Sequence, residues 1–242
     1  SKLAPLTIAA LSDATMAALA TAGKLANLTP AQVAALPAST IDSVPTTVLA
    51  TLTDAQVASL TTAQLAALTD AQMAAMATAG NLDSLTPAQV AALPASTIDS
   101  VPATVIDNLT DAEVAGLSDA QLAALTPAQI VAMATAGNLD NLTAAQISKL
   151  APLTIAALSD ATMAAMATAG KLDNLTNAQV LALPATTIDS VPATVIDNLT
   201  DAEVAGLSDA QLAALTPAQI VAMATAGNLD NLTAAQISKL AP

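Results

Sequence analysis

The chain has 242 residues, of which 54% are hydrophobic and 10% are charged, and it contains no Phe, Tyr, Trp, His or Cys. Its net charge of −14, with five Lys and no Arg, makes nucleic acid and anionic membrane surfaces poor partners, because phosphate binding needs clustered basic side chains. The absence of Cys excludes disulfides and thiolate metal sites, and no apolar run approaches the roughly 18 residues of a membrane span.

Three octads follow one another in the first half of the chain: LTDAQVAS (52–59), LTTAQLAA (60–67) and LTDAQMAA (68–75). Thr at the second position is a typical helix N-cap, and Gln three residues later completes a capping box. Fourteen Thr or Ser and Gln or Glu pairs have this spacing, from Thr29/Gln32 to Thr233/Gln236. Each such octad is therefore predicted to form a helix of one to two turns.

Helices this short are unstable in isolation. The leucine before the cap and the aliphatic residue four after it, such as Leu125 and Ile130, have the spacing of a hydrophobic staple. Two such anchors contribute about 1.5–3 kcal/mol each, against about 1–2 kcal/mol of backbone entropy for every ordered residue. The octads are therefore expected to stack and share their anchors, as in a solenoid.

A second octad type has Pro at its second position, as in LPASTIDS (93–100) and VPATVIDN (101–108). Pro can start a helical turn but cannot continue one. These octads are predicted to form a tighter turn or a local change of direction.

A nine-residue unit, MATAGNLDN (133–141), interrupts the octads. Gly137 is predicted to be a left-handed C-cap, which ends a longer helix running from about Thr126 to Ala136. The ATAG tetrads end at Gly23, Gly80, Gly137, Gly170 and Gly227, with spacings of 57, 57, 33 and 57 residues. Six octads and one nonad make 57 residues, and three octads and one nonad make 33. Both spacings therefore consist of the same two kinds of unit, and we call this succession of octads and nonads the repeat grid.

Larger blocks are copied on the same grid. Residues 97–152 are identical to 187–242, and 1–48 match 148–195 with six differences; these scattered differences favour natural duplication over design. SKLAP occurs at 1–5, 148–152 and 238–242, without the polar terminal caps of a free solenoid, and the first residues do not have the pattern of a signal peptide. We therefore interpret 1–242 as a single continuous repeat array, a mature or excised segment of a longer array or a unit that docks head to tail.

The predicted fold is all-α: a superhelix of short helices, about one per octad, with longer Gly-capped helices at 57- and 33-residue spacing. The alternative is a β-solenoid, which the Ala and Gln content disfavours.

The chain offers little chemistry for catalysis. No His, Cys, Tyr or Arg is present, and carboxylate pairs such as Asp111/Glu113 recur as Asp201/Glu203, which suits a repeated surface better than an active site. Asp near the turns raises calcium as a possible ligand, but no EF-hand or RTX pattern occurs, so helix-start Asp is the preferred interpretation. The seven Met are interpreted as core residues. We predict no enzyme, no catalytic, cofactor or metal site, and no cofactor, with calcium as the less favoured alternative.

The segment LTPAQIVAMATAG, at 125–137 and 215–227, resembles the start of the DNA-reading repeat of TAL effectors. By that resemblance Ala136 and Gly137, and Ala226 and Gly227, would occupy the base-reading loops. The match covers about thirteen residues per copy. The second helix of that repeat is missing, the period differs and the charge is opposite, so a shared helix start explains the match.

Nearly the whole chain, through LTDAQVASLTTAQLAALTDAQMAAM (52–76) and its relatives, resembles the octapeptide repeats of very large bacterial surface and secreted adhesin-like proteins. That resemblance implies an extracellular or cell-surface location. The expected function is a structural segment of a fibre, tube or adhesin stalk that binds copies of itself. The alternative is a solenoid scaffold whose concave face binds a protein or peptide.

Overall fold

The computed structural model describes residues 12–24, 27–230 and 232–240. They divide into two compact units between Leu117 and Ser118, named here the N-terminal unit and the C-terminal unit. This division falls inside the ordinary octad LSDAQLAA (117–124), so the repeat grid is continuous in sequence. A single array over 1–242 stays a prediction.

Within the described residues all regular secondary structure is helical and no strand is present. The all-α prediction is confirmed, and the β-solenoid alternative is not supported. The helices of the N-terminal unit are α1 (Asp13–Thr21), α2 (Pro30–Ala34), α3 (Thr46–Leu49), α4 (Asp54–Val57), α5 (Thr62–Ala66), α6 (Asp70–Thr78), α7 (Pro87–Ala91), α8 (Ala103–Ile106) and α9 (Asp111–Ala115). Its 3-10 helices are Ala38–Ser43, Asn81–Ser84 and Ile98–Ser100.

The C-terminal unit repeats the pattern. Its helices are α10 (Asp119–Ala124), α11 (Pro127–Ala136), α12 (Ala144–Ile147), α13 (Pro152–Ala156), α14 (Asp160–Thr168), α15 (Asn177–Ala182), α16 (Ala193–Ile196), α17 (Asp201–Ala205), α18 (Asp209–Ala214), α19 (Pro217–Ala226) and α20 (Ala234–Ile237). Its 3-10 helices are Asn138–Asn141 and Ile188–Ser190.

All fourteen predicted capping boxes form. At the start of α5, for example, the backbone N–H of Thr61 donates to Gln64 Oε1 at 2.8 Å, and the N–H of Gln64 donates to Thr61 Oγ1 at 3.2 Å. Two of the N–H groups that a helix start leaves without internal partners are thereby satisfied. Each box is local to four residues, which is why the sequence predicts it correctly.

The Pro-containing octads form tight turns, as predicted. LPASTIDS ends in the 3-10 helix Ile98–Ser100, and VPATVIDN forms the single-turn helix α8, for which Pro102 is the N-cap. Pro lacks a backbone N–H, and a helix start does not use that group. The same octads give Ile188–Ser190 and α16 in the C-terminal unit.

Each longer helix spans an octad and the start of the nonad that follows it. Helix α11 starts at its N-cap Thr126, runs from Pro127 to Ala136 and ends at Gly137, whose φ of 81° is left-handed. All five ATAG glycines have positive φ, so the 57- and 33-residue spacing seen in the sequence marks helix ends in the structure. A 3-10 turn follows, as at Asn138–Asn141.

The core of each unit is a row of aliphatic side chains supplied by every octad. Leu125 before its cap and Ile130 four residues after it are 2% and 0% exposed, so both members of the predicted staple are buried. The six methionines with described side chains are buried too: Met73, Met76, Met133, Met163, Met166 and Met223. The interpretation of Met as core residues is confirmed for these six.

Helices three octads apart in sequence pack against each other. In the N-terminal unit α2 contacts α4 and α3 contacts α6; in the C-terminal unit α13 contacts α15 and α16 contacts α19. The first residues of these pairs are 24 or 25 positions apart. We call the stretch of chain that completes one such circuit a coil, and each unit is built of successive coils.

Replacing Gly137 by Ala is expected to destabilise the protein by about 1–2 kcal/mol, because an L residue resists the left-handed conformation. Nothing lies within 4 Å of a Cβ placed on Gly137, so the loss would measure backbone conformation alone. Urea unfolding followed by circular dichroism measures it. Gly137→Asn is the control and should lose less, since Asn tolerates this region better; equal losses would contradict the explanation.

Candidate functional site: the carboxamide ladder

The glutamine of each capping box has a second hydrogen-bonding group, its side-chain NH₂. In α5 the oxygen Oε1 of Gln64 accepts from its own N-cap, while Nε2 donates to the carbonyls of Val33 and Leu36, both at 2.8 Å. The Val33 carbonyl lies in the last turn of α2 and the Leu36 carbonyl lies just after that helix, one coil earlier. One amide therefore closes the start of its own helix and the end of another.

The same bond recurs through both units and joins residues 28–32 positions apart. We call this set of side chains the carboxamide ladder and each member a rung. Rungs in the N-terminal unit are Gln56 to Leu28, Gln64 to Val33 and Leu36, Gln72 to Ile41, Asp42 and Val44, and Gln89 to Val57, Ala58 and Leu60. Rungs in the C-terminal unit are Gln179 to Ile147 and Leu150, Gln211 to Leu181 and Leu183, Gln219 to Ile188 and Val191, and Gln236 to Ala205.

The ladder exists because short helices leave their ends unpaired. The last four carbonyls of a helix have no internal partner, and a helix of four to six residues consists largely of such ends. Burial of an unpaired polar group costs about 1–3 kcal/mol. Gln64 is 1% exposed and Gln179 is 0% exposed, yet no buried side-chain N or O atom in the described residues lacks a partner.

Where a nonad replaces an octad, the residue after the glycine forms the rung. Asn81 donates to the carbonyl of Leu49 at 3.1 Å, and Asn228 donates to those of Asp197 and Leu199 at 3.1 and 2.8 Å. Lys171 has the same position, and its Nζ donates to the carbonyls of Asp140 and Leu142 at 3.0 and 2.7 Å. The ladder thus also works with an ammonium group.

Two ion pairs reinforce the C-terminal unit. Lys149 Nζ lies 3.2 Å from Asp119, and Lys239 Nζ lies 3.2 Å from Asp209. Each pair joins residues 30 positions apart, which is the spacing of the rungs. The side chains are largely exposed, and pairs of this kind contribute about 0–1 kcal/mol.

Glu203 fills the position of the box glutamine in α17. Its Oε2 accepts from the Thr200 N–H at 2.8 Å, from the Thr200 hydroxyl at 2.7 Å and from Asn177 Nδ2 at 2.7 Å. The backbone N–H of Thr200 is the largest of the causes that lower the pKa of Glu203; the Thr200 hydroxyl and Asn177 also lower it, and burial opposes them. The carboxylate form is stabilised because each of these donors bonds to its charge.

The acidic residues do not converge. Asp111 and Asp201 are the first residues of α9 and α17 and are exposed, as helix-start Asp should be. No group of three or more carboxylates within the described residues is placed to hold a metal ion. None of the described helices is both long and apolar enough to cross a membrane.

Sequence reasoning assigned the glutamines to the capping box and missed their bonds between coils. One signal was available. Twelve of the fourteen boxes use Gln and two use Glu, although Glu serves a capping box equally well. A requirement for the NH₂ group explains this preference.

No protein-family model matches the chain, and no curated protein matches its sequence. In the segment that resembles TAL effector repeats, Ala136 is the last residue of α11 and Gly137 is its left-handed cap. Ala226 and Gly227 have the same roles in α19.

Gln64→Glu should destabilise the protein by about 2–4 kcal/mol, because the box is kept while two buried carbonyls lose their donor and face a carboxylate. The free energy of unfolding in urea measures the loss. Gln236→Glu is the matched control, since Gln236 forms a more exposed rung to Ala205, and it should lose less than about 1 kcal/mol. If both variants lost the same small amount, the ladder would not stabilise the fold.

Asn177→Ala should raise the pKa of Glu203 towards its ordinary value. Because the folded pKa is lowered, Glu203 contributes stability that is present above the unfolded pKa of about 4.3 and is lost as pH falls through the folded pKa. The variant should reduce this contribution. Carboxyl ¹³C resonances followed during acid titration measure the pKa. Asn198→Ala is the control, since Asn198 Nδ2 donates to the Thr194 carbonyl. If the pKa of Glu203 were the same in Asn177→Ala as in the wild type, the prediction would be contradicted.

Proposed function

We propose that this chain is a non-enzymatic structural segment of an extracellular bacterial fibre, tube or adhesin stalk, and that it assembles by stacking coil on coil. The proposal depends on the ladder. Each rung joins a coil to the one before it through backbone carbonyls, and almost any following coil with a box glutamine in register offers the same donor. Repeat proteins of this kind gain stability from each neighbour.

The observation that carries the proposal is a comparison of two identical segments. Ile147 lies in residues 97–152 and Ile237 at the same place in 187–242. Ile147 is 0% exposed and its carbonyl accepts from Gln179 at 2.9 Å, whereas Ile237 is 51% exposed. The same residues are buried when a coil follows them. The face around Ile237 therefore fits a further coil of this type, whether that coil belongs to the same polypeptide or to a second copy.

Charge favours stacking over lateral association. With a net charge of −14, the sides of two copies repel each other at low salt. A stacked coil instead buries apolar side chains and pairs carbonyls with amides, which needs no opposite charge. We therefore propose that copies bind through coil faces. The extracellular location rests on the resemblance to adhesin-like repeats.

Electron microscopy across a concentration series tests the proposal. The wild-type chain should form filaments or tubes, whereas Ile237→Asp should remain dispersed with unchanged helical content, because a carboxylate on this face resists burial. Leu153→Asp is the control, since Leu153 is 72% exposed on α13, and it should assemble like the wild type.

Two results would contradict the proposal. A wild-type chain that stays monodisperse in light scattering at high concentration does not self-assemble. If Ile237→Asp assembled as well as the wild type, the contact would lie elsewhere on the surface.

A further inference from the structure

In the C-terminal unit the segment 152–182 covers the coil before it, at 127–150. Helix α13 of the covering segment packs on α11 of the covered coil. Lys171 Nζ donates to the carbonyls of Asp140 and Leu142 at 3.0 and 2.7 Å, so a positively charged rung joins the same two segments. We call this contact between two coils the reference junction.

A second copy of the covered coil is present without a cover. Residues 217–240 are identical to 127–150, yet Val221 is 65% exposed whereas Val131 is 41% exposed. Four apolar side chains are each more exposed than the same residue of 127–150, and with the carbonyls of Asp230 and Leu232 we call them the acceptor face: Val221, Leu229, Ile237 and Leu240. These two carbonyls correspond to those that accept from Lys171, and no described donor bonds to them.

Another segment of the chain has the sequence of the cover. Residues 5–35 differ from 152–182 at four of 31 positions, and Lys24 stands where the cover has Lys171. We call 5–35 the donor segment, of which the structure describes 12–24 and 27–35. The side chains that form the lysine rung of the reference junction therefore occur twice in the chain.

The donor segment is also less covered than its counterpart. Lys24 is exposed and its Nζ bonds to no described residue, whereas Lys171 is half-buried. Leu19 is half-buried, whereas Met166 at the same position is buried and lines a cleft together with Leu139 of the covered coil. Both halves of the reference junction are thus present a second time with their contact surfaces exposed.

Charge favours contact between unlike surfaces. Residues 1–41, which include the donor segment, contain two Lys and one Asp, a net charge of +1. Residues 196–242, which include the acceptor face, contain four Asp, one Glu and one Lys, a net charge of −4. Two acceptor faces therefore repel each other, whereas a donor segment and an acceptor face attract each other.

We propose that the acceptor face of one copy binds the donor segment of a second copy, with Lys24 bonded to the carbonyls of Asp230 and Leu232. This inference rests on the proposed function and identifies the partner of the face around Ile237. The contact joins two different surfaces, so every dimer keeps one unused donor segment and one unused acceptor face. Such heterologous contacts add copies in one direction and produce open filaments or closed rings.

Sedimentation velocity of the full chain and its variants tests the lysine rung. Lys24→Asp should weaken self-association by about 10–100-fold, because a carboxylate then faces two carbonyls in place of a donor. Lys24→Asn should assemble like the wild type, since Asn81 and Asn228 form rungs from the same position of their nonads. Lys149→Asp has the same net charge as Lys24→Asp, changes only an exposed ion pair, and should also assemble. Helical content by circular dichroism should be equal in all of them.

A mixture of two variants tests the direction of the contact. Lys24→Asp keeps the acceptor face and Ile237→Asp keeps the donor segment, so each variant alone should stay monomeric at a concentration that assembles the wild type. Their equimolar mixture should form heterodimers and nothing larger.

The outcomes separate this inference from the proposed function. A wild type that stays monomeric would overturn both. If the wild type assembled and Lys24→Asp assembled equally well, or if the mixture formed no heterodimer, self-assembly would stand and this inference would be overturned.

Discussion

The side-chain amide of a capping-box glutamine bonds in two directions, and the packing of both units depends on it. Its oxygen accepts from the N-cap of its own helix, and its nitrogen donates to carbonyls at the end of a helix one coil earlier, as in Gln64. Helices of four to six residues consist mostly of ends, and ends leave backbone groups unpaired. Without these amides the carbonyls that they bond in the described residues would lose their donors, at a cost of about 1–3 kcal/mol for each buried group.

This requirement explains features that hydrophobic packing leaves unexplained. Asn81 and Lys171 differ in length and charge, yet both follow a left-handed glycine and both donate to carbonyls of the preceding coil. This position needs a side-chain hydrogen-bond donor long enough to contact a carbonyl of the preceding coil, and the other properties of the side chain can differ. Glu113 and Glu203 keep the capping box, but a carboxylate has no NH₂ group to donate to the preceding coil.

A fold joined by such rungs suits a structural role. The rungs of the described residues repeat one kind of bond between a side chain and the backbone, so the contact between two coils recurs along each unit. The aliphatic core repeats in the same way. Ile147 is covered by the coil that follows it, whereas Ile237, which has the identical sequence around it, has half of its side chain exposed. Stability in such arrays grows with each neighbour that is added.

The sequence by itself determined the local structure: the capping boxes, the tight turns at Pro octads and the left-handed Gly137 each depend on a few adjacent residues whose identities encode the geometry. It also limited the chemistry, since the residue types needed for most catalytic groups are missing. Only the tertiary structure decided the register between coils, and with it the second role of Gln64. The acceptors are backbone carbonyls 28–32 residues away, every residue has one, and no side chain marks which of them a glutamine will meet.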